Sequence, residues 1–125
     1  MSENGNGKMV VLCNHADAPH VMPTLIMGAS GASIDDEVIL FFCPGGATAL
    51  IKGELEKIRD MHLKGLPDPV QLYDDILAEG GRVILCELAL ENKGIAVKDV
   101  REGVEILNAP SFLLDAQGAG LSLVF

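Results

Sequence analysis

The chain has 125 residues, 49% of them hydrophobic, 22% charged and 4% aromatic. That balance suits one compact domain with a buried core and excludes a disordered chain. Nine Lys and Arg against eighteen Asp and Glu leave a formal charge of −9, which speaks against a nucleic-acid backbone or an anionic membrane surface as partner.

The longest stretch free of charge, residues 18–34, carries Pro19, His20, Pro23, two Ser and two Gly, so no transmembrane helix is expected. The N-terminus is polar, with neither the basic start nor the apolar stretch of a signal peptide. A flexible leader over 1–7, a single domain over 8–125 and a cytoplasmic location are the expectations. Cys13, Cys43 and Cys86 are widely spaced and odd in number, which suggests free thiols in a reducing compartment and no disulfide framework.

Lys8 to Cys13 is apolar without alternation, the pattern of a parallel strand covered on both faces. Residues 17–33 place Met22, Leu25, Ile26 and Ala29 at helical spacing, with Asp17 as N-cap and Pro19 in the first turn. Glu37 to Cys43 is a second buried strand, ended by Pro44-Gly45-Gly46, with a helix beginning over Ala47 to Lys52 and a polar stretch over Leu55 to Lys64. After Pro67-Asp68-Pro69, the positions of Val70, Leu72, Tyr73, Ile76 and Leu77 predict a helix stopped by Gly80-Gly81. Arg82 to Cys86 is a third buried strand, followed by a short helix or turn to Asn92 closed by Gly94. Val104 to Ile106 forms a short strand, Pro110 to Gln117 a helix and Gly120 to Phe125 a last strand. The alternation predicts an α/β fold: three layers, α/β/α, around a mostly parallel sheet of about five strands.

Ligands of such sheets sit beyond the carboxyl ends of the strands, where all three cysteines fall. Cys86 ends a strand just before a helix start, a position that favours a thiolate, while the adjoining Glu87 opposes it. A buried, inert thiol is the other reading. Cys13, His15, Asp17 and His20, with Cys43 near in space, are metal-capable, but their spacing matches no zinc pattern, so neither metal nor other cofactor is expected. Gly45 and Gly46 present a loop whose amides could hold an anion, although no nucleotide-binding glycine motif occurs. His62 reads as solvated, and Met22, Met27 and Met61 as packing or interface residues. Asp35-Asp36-Glu37 and Asp74-Asp75 read as polar turn and solvated helix face.

The stretch Gly81-Arg-Val-Ile-Leu-Cys86-Glu-Leu-Ala-Leu-Glu-Asn-Lys-Gly94-Ile95, followed by Asp99-Val-Arg-Glu-Gly-Val104-Glu105, resembles the DsrE/DsrF-like family of small sulfur-relay proteins. Phe41-Phe42 before a glycine loop and the closing helix and strand over 109–125 agree in order, so the resemblance spans nearly the whole chain. It implies trimers or hexamers, and a strand-end cysteine, here Cys86, that holds a persulfide and exchanges it with a sulfur donor or acceptor protein. Some relatives are labelled predicted peroxiredoxins. Peroxide reduction calls for cations near the thiol, whereas Glu87 and Glu91 come first here and Lys93 only after them. Relatives with a second cysteine shortly after the first differ from this chain, whose residues 93–97 hold none. The reading is thus a sulfur carrier or sulfurtransferase with Cys86 as the working thiol. The alternative is a noncatalytic oligomeric module that holds a small anion or metal through the loops at Cys13, His15, Cys43, Gly45 and Gly46.

Overall fold

Five strands, β1 (Lys8–Cys13), β2 (Glu37–Phe42), β3 (Arg82–Cys86), β4 (Val104–Leu107) and β5 (Leu121–Val124), form one sheet in the order β4-β3-β2-β1-β5. Every pairing is parallel, stricter than the mostly parallel sheet the sequence predicts. The computed structural model describes residues 7–125. Of the leader expected over 1–7, residues 1–6 lie outside the described residues. Gly7 is tied to the turn before β2: its N–H donates to Asp36 Oδ1 at 2.9 Å and its carbonyl accepts from the Glu37 N–H.

The apolar runs are buried because helices cover both faces of the sheet. Met9, Val11, Val38, Leu40, Phe42, Val83 and Leu85 face α1 (Ala18–Ser33), α2 (Glu54–Asp60) and α3 (Pro69–Ala78), and with Met22, Leu25, Leu55, Tyr73 and Ile76 they make the larger core. The alternate residues Val10, Ile39, Phe41 and Ile84 face α5 (Ala109–Ala116), whose Phe112 stacks on Phe41 with ring centroids 4.1 Å apart. The result is a three-layer α/β/α fold. No helix among the described residues is long and apolar enough to cross a membrane.

Asp17 occupies the N-cap of α1, but its carboxylate holds His20 and caps no amide. Asp68 and Asn108 do cap α3 and α5, accepting from Val70 and Ser111 amides at 2.8 Å. The polar stretch over 55–64 contains α2, a helix the sequence reading left out. It buries Leu55 and Ile58, three residues apart, and carries Glu54 and Glu56 in its first turn and Lys57 and Arg59 in its last, the charge order a helix dipole favours. The helix expected over Ala47 to Lys52 is a 3-10 helix, Pro44–Leu50.

At the edge of the sheet remote from the cysteines, Arg82 of β3 donates twice to Glu105 of β4 (2.7 and 2.9 Å) and once to Asp115 of α5 (2.9 Å). This fork joins strand, strand and covering helix. The hydrogen bonds from Arg82 hold the Glu105 carboxyl below its ordinary value of 4.5, as Arg101 does for Glu56. Groups lowered in this way stabilise the fold above the ordinary value, and that stability is lost as pH falls through the lowered one. Because Glu105 is 41% exposed, water screens the pair and we expect Arg82→Met to cost only about 1 kcal/mol at pH 7. Urea unfolding at pH 7, 4 and 3 should show the native chain losing stability below about pH 4.5 and the variant losing less. Equal acid sensitivity of the two would remove Glu105 from the account.

Candidate functional site at the carboxyl edge of the sheet

Three loops converge where β1, β2 and β3 end, and hydrogen bonds lock the first two together. The Cys43 N–H donates to the Cys13 carbonyl at 3.0 Å, the Gly45 N–H to Asn14 Oδ1 at 3.1 Å and the Gly46 N–H to the Cys43 carbonyl at 2.9 Å. Both glycine amides that could have held an anion are therefore already bonded inside the protein. The glycines serve close approach. A Cβ at Gly46 would lie 2.6 Å from the Cys13 carbonyl oxygen, and one at Gly45 would lie 2.3 Å from that of Asn14. Asn14, which sequence reasoning passed over, links the first two loops.

The three cysteines share the edge but not a face. Cys13 is fully buried in the larger core, its Sγ donating to the His15 carbonyl at 3.2 Å and lying 3.8 Å from that of His20. Cys86 belongs to the smaller core on the α5 side, and Cys43 packs against that same cluster. Strand register accounts for this division. Cys13 pairs with Phe42 and Phe42 with Leu85, so these three share a face, and the residues that follow, Cys43 just past β2 and Cys86 at the end of β3, point to the opposite one. Cys43 keeps extended geometry, with φ −67° and ψ 168°, so the alternation continues through it.

Cys86 is 3% exposed and Cys43 partly exposed. Burial pushes the Cys43 thiol above its ordinary value, and the neighbouring Cys86 and then Cys13 push it the same way. The Glu87 side chain is exposed, which keeps its carboxylate in water. Pro44, which follows Cys43, and Leu88, Glu91 and Asn92 of the turn and short helix α4 (Leu88–Asn92) line an open cleft of about 420 Å³ at the same edge, which neither cysteine lines. None of these four drew attention in the sequence as a lining residue.

The histidines form a separate group. The His20 Nδ1 pairs with both Asp17 carboxylate oxygens at 2.8 and 2.9 Å, and the hydrogen bond lowers the Asp17 carboxyl. The His15 ring stacks on that of His20 with centroids 4.0 Å apart, its Nδ1 3.3 Å from the Phe125 carbonyl. Among the described residues, no three His, Cys, Asp or Glu side chains converge as a metal site would require.

Known proteins bear on the fold. No family model matches the chain. Over 97 residues, 78% of the chain, it is 32% identical to the uncharacterized protein MJ0760 of Methanocaldococcus jannaschii, and it spans about a third (34%) of that relative's length. The crystal structure of the ychN protein from E. coli superposes with a TM-score of 0.76 at 20% identity, over 95% of this chain and 99% of that one. The protein of unknown function MTH1491 from Methanobacterium thermoautotrophicum superposes with a TM-score of 0.67 at 17% identity, over 94% and 98%. At these identities the likeness shows the shared fold.

The contact of Gly46 with backbone, which cannot swing aside as a side chain can, sets a strict size limit there. We expect Gly46→Ala to destabilise the protein by about 2 kcal/mol, read as a lower urea midpoint with unchanged slope. An unchanged midpoint would show that the two loops do not need this approach.

Proposed function

We propose that the protein is a sulfur carrier in which Cys86 takes up sulfane sulfur as a persulfide and yields it to a thiol of a partner protein. The observation that carries the reading is the place of Cys86: last residue of an interior strand, at the carboxyl edge, with Cys43 packed against the same cluster and Glu87 exposed to water. The fold shared with ychN and MTH1491 is compatible with the DsrE/DsrF-like resemblance, which places the working thiol at this residue.

The chemistry makes modest demands on the protein. The Cys86 thiolate attacks the outer sulfur of a donor persulfide. An S–S bond forms at Cys86 Sγ, the donor's S–S bond breaks, and the donor departs as a thiolate. In the second step an acceptor thiolate attacks the outer sulfur and Cys86 leaves as thiolate, so neither step changes the overall oxidation level. Loading extends the side chain by one S–S bond, about 2 Å, which helps a nearly buried thiol offer its sulfur to a partner.

Self-association belongs to the same proposal. Leu113 and Leu114 of α5, Leu121 and Val124 of the edge strand β5, and Met27 and Met61 on the opposite layer are exposed, more apolar surface than a small monomer usually shows. Light scattering should give a multiple of the chain mass, and a monomer mass at micromolar concentration would refute this part.

The carrier reading is tested by intact-mass spectrometry after incubation with thiosulfate, tetrathionate or polysulfide. An adduct of one or more sulfur atoms, or of a thiosulfonate group, should form, be removed by reductant and be absent in Cys86→Ser. An adduct that persists in Cys86→Ser, or none with any donor, would refute the carrier role.

A further inference from the structure

Cys43, one residue past the end of β2, and Cys86, the last residue of β3, each directly follow a member of the last register pair of two neighbouring parallel strands. The pairing of Ile39 with Arg82 through Phe42 with Leu85 reaches these two residues one step further on. Adjacent strands lie about 5 Å apart, within the range of roughly 4.4–6.8 Å between Cα atoms that a disulfide accepts. Both side chains pack in the same cluster on the α5 side. Cys13 is held on the other face, its Sγ engaged with carbonyl oxygens. The edge therefore carries two thiols on the α5 face and one on the other. The pair is unequal: Cys86 is nearly enclosed, while Cys43 is partly open.

We infer that Cys43 is the second thiol of the Cys86 site and discharges the carried sulfur as hydrosulfide by closing a Cys43–Cys86 disulfide. This rests on the reading of Cys86 as a persulfide carrier. The Cys43 thiolate attacks Sγ of the Cys86 persulfide, the Sγ–Sγ bond forms, and the bond from Cys86 Sγ to the outer sulfur breaks. The outer sulfur leaves with the electron pair as hydrosulfide, taking up the proton that Cys43 gave away. The sulfane sulfur is reduced to sulfide while the two cysteine sulfurs are oxidised to the disulfide, and an external dithiol reductant restores both thiols. Hydrosulfide is a weaker base than a cysteine thiolate and so is the better leaving group. Attack on the inner sulfur thus competes with simple transfer of the outer one. Burial and the neighbouring thiols keep Cys43 protonated in its resting state, which lets the loaded form persist long enough to meet an acceptor.

The test uses the whole chain, reduced and loaded anaerobically with sodium polysulfide, freed of excess donor and followed in time by intact mass, peptide mapping and sulfide assay. The native chain should first appear one sulfur atom heavier. It should then convert to a species two hydrogens lighter than the reduced protein, with one equivalent of sulfide released and Cys43 and Cys86 joined in the peptide map. In Cys43→Ser, and in Cys43→Ala as a second variant of different polarity, the added sulfur should stay on Cys86 and sulfide release should slow at least about tenfold. Loading of all three proteins with equal retention of sulfur would overturn the pairing and leave the carrier role standing. A disulfide involving Cys13 would overturn it as well. No loading of Cys86 in any of the three would overturn the carrier role, and this inference with it.

Discussion

Side-chain alternation along parallel strands decides which residues can meet at the carboxyl edge of this sheet. Successive residues of an extended chain point to opposite faces, and the pairings Cys13 with Phe42 and Phe42 with Leu85 fix the phase of three neighbouring strands. One consequence is the core: Phe42 and Leu85 lie under α1 and α3, Phe41 and Ile84 under α5. The other is the site. A slip of β2 by one residue against β3 would move Cys43 to the far face and leave Cys86 without a neighbouring thiol, and it would set every apolar side chain of the strand against the wrong covering layer. The burial that stabilises the fold and the pairing of the two cysteines are thus secured by the same register.

This explains what could be read from the sequence. The strands ending at Cys13, Cys43 and Cys86 are visible as uninterrupted apolar runs, and α3 as a spaced set of Val70, Tyr73 and Ile76 behind Asp68. The very absence of alternation that marks a strand as buried on both sides erases the information about which face each residue takes. All three cysteines could be placed at one edge from sequence, but their division into a pair and a single thiol needed the register between strands distant in the chain. Helix α2 escaped for a different reason. With only Leu55 and Ile58 to bury, its apolar stripe is too short to stand out, and the remaining signal was the order of its charges. The interlock of Gly45 and Gly46 with Asn14 and Cys13 likewise depends on a contact across some thirty residues, so locally these glycines read as a turn or an anion loop.

The two faces of the sheet are covered unequally, and the difference bears on the chemistry. Three helices seal the α1 side, where Cys13 is wholly enclosed. A single helix of eight residues covers the other, so Leu12, Cys43 and Leu107 there remain partly exposed. The thinner layer leaves Cys43 intermediate in exposure, while Cys86 beneath it is nearly enclosed. The Arg82 fork to Glu105 and Asp115 anchors this lone helix at the end away from the cysteines. The carboxyl edge is thereby left for loops to shape.

The electrostatics of that edge narrow the chemistry further. Glu87 and Glu91 flank the strand end and the cleft, and the chain as a whole carries an excess of nine negative charges. A site that had to stabilise a permanent thiolate for attack on peroxide would be poorly served by this surrounding. Sulfane transfer differs, because the electrophile is a sulfur atom already bonded to a good leaving group and the negative charge is passed from one sulfur to the next without accumulating.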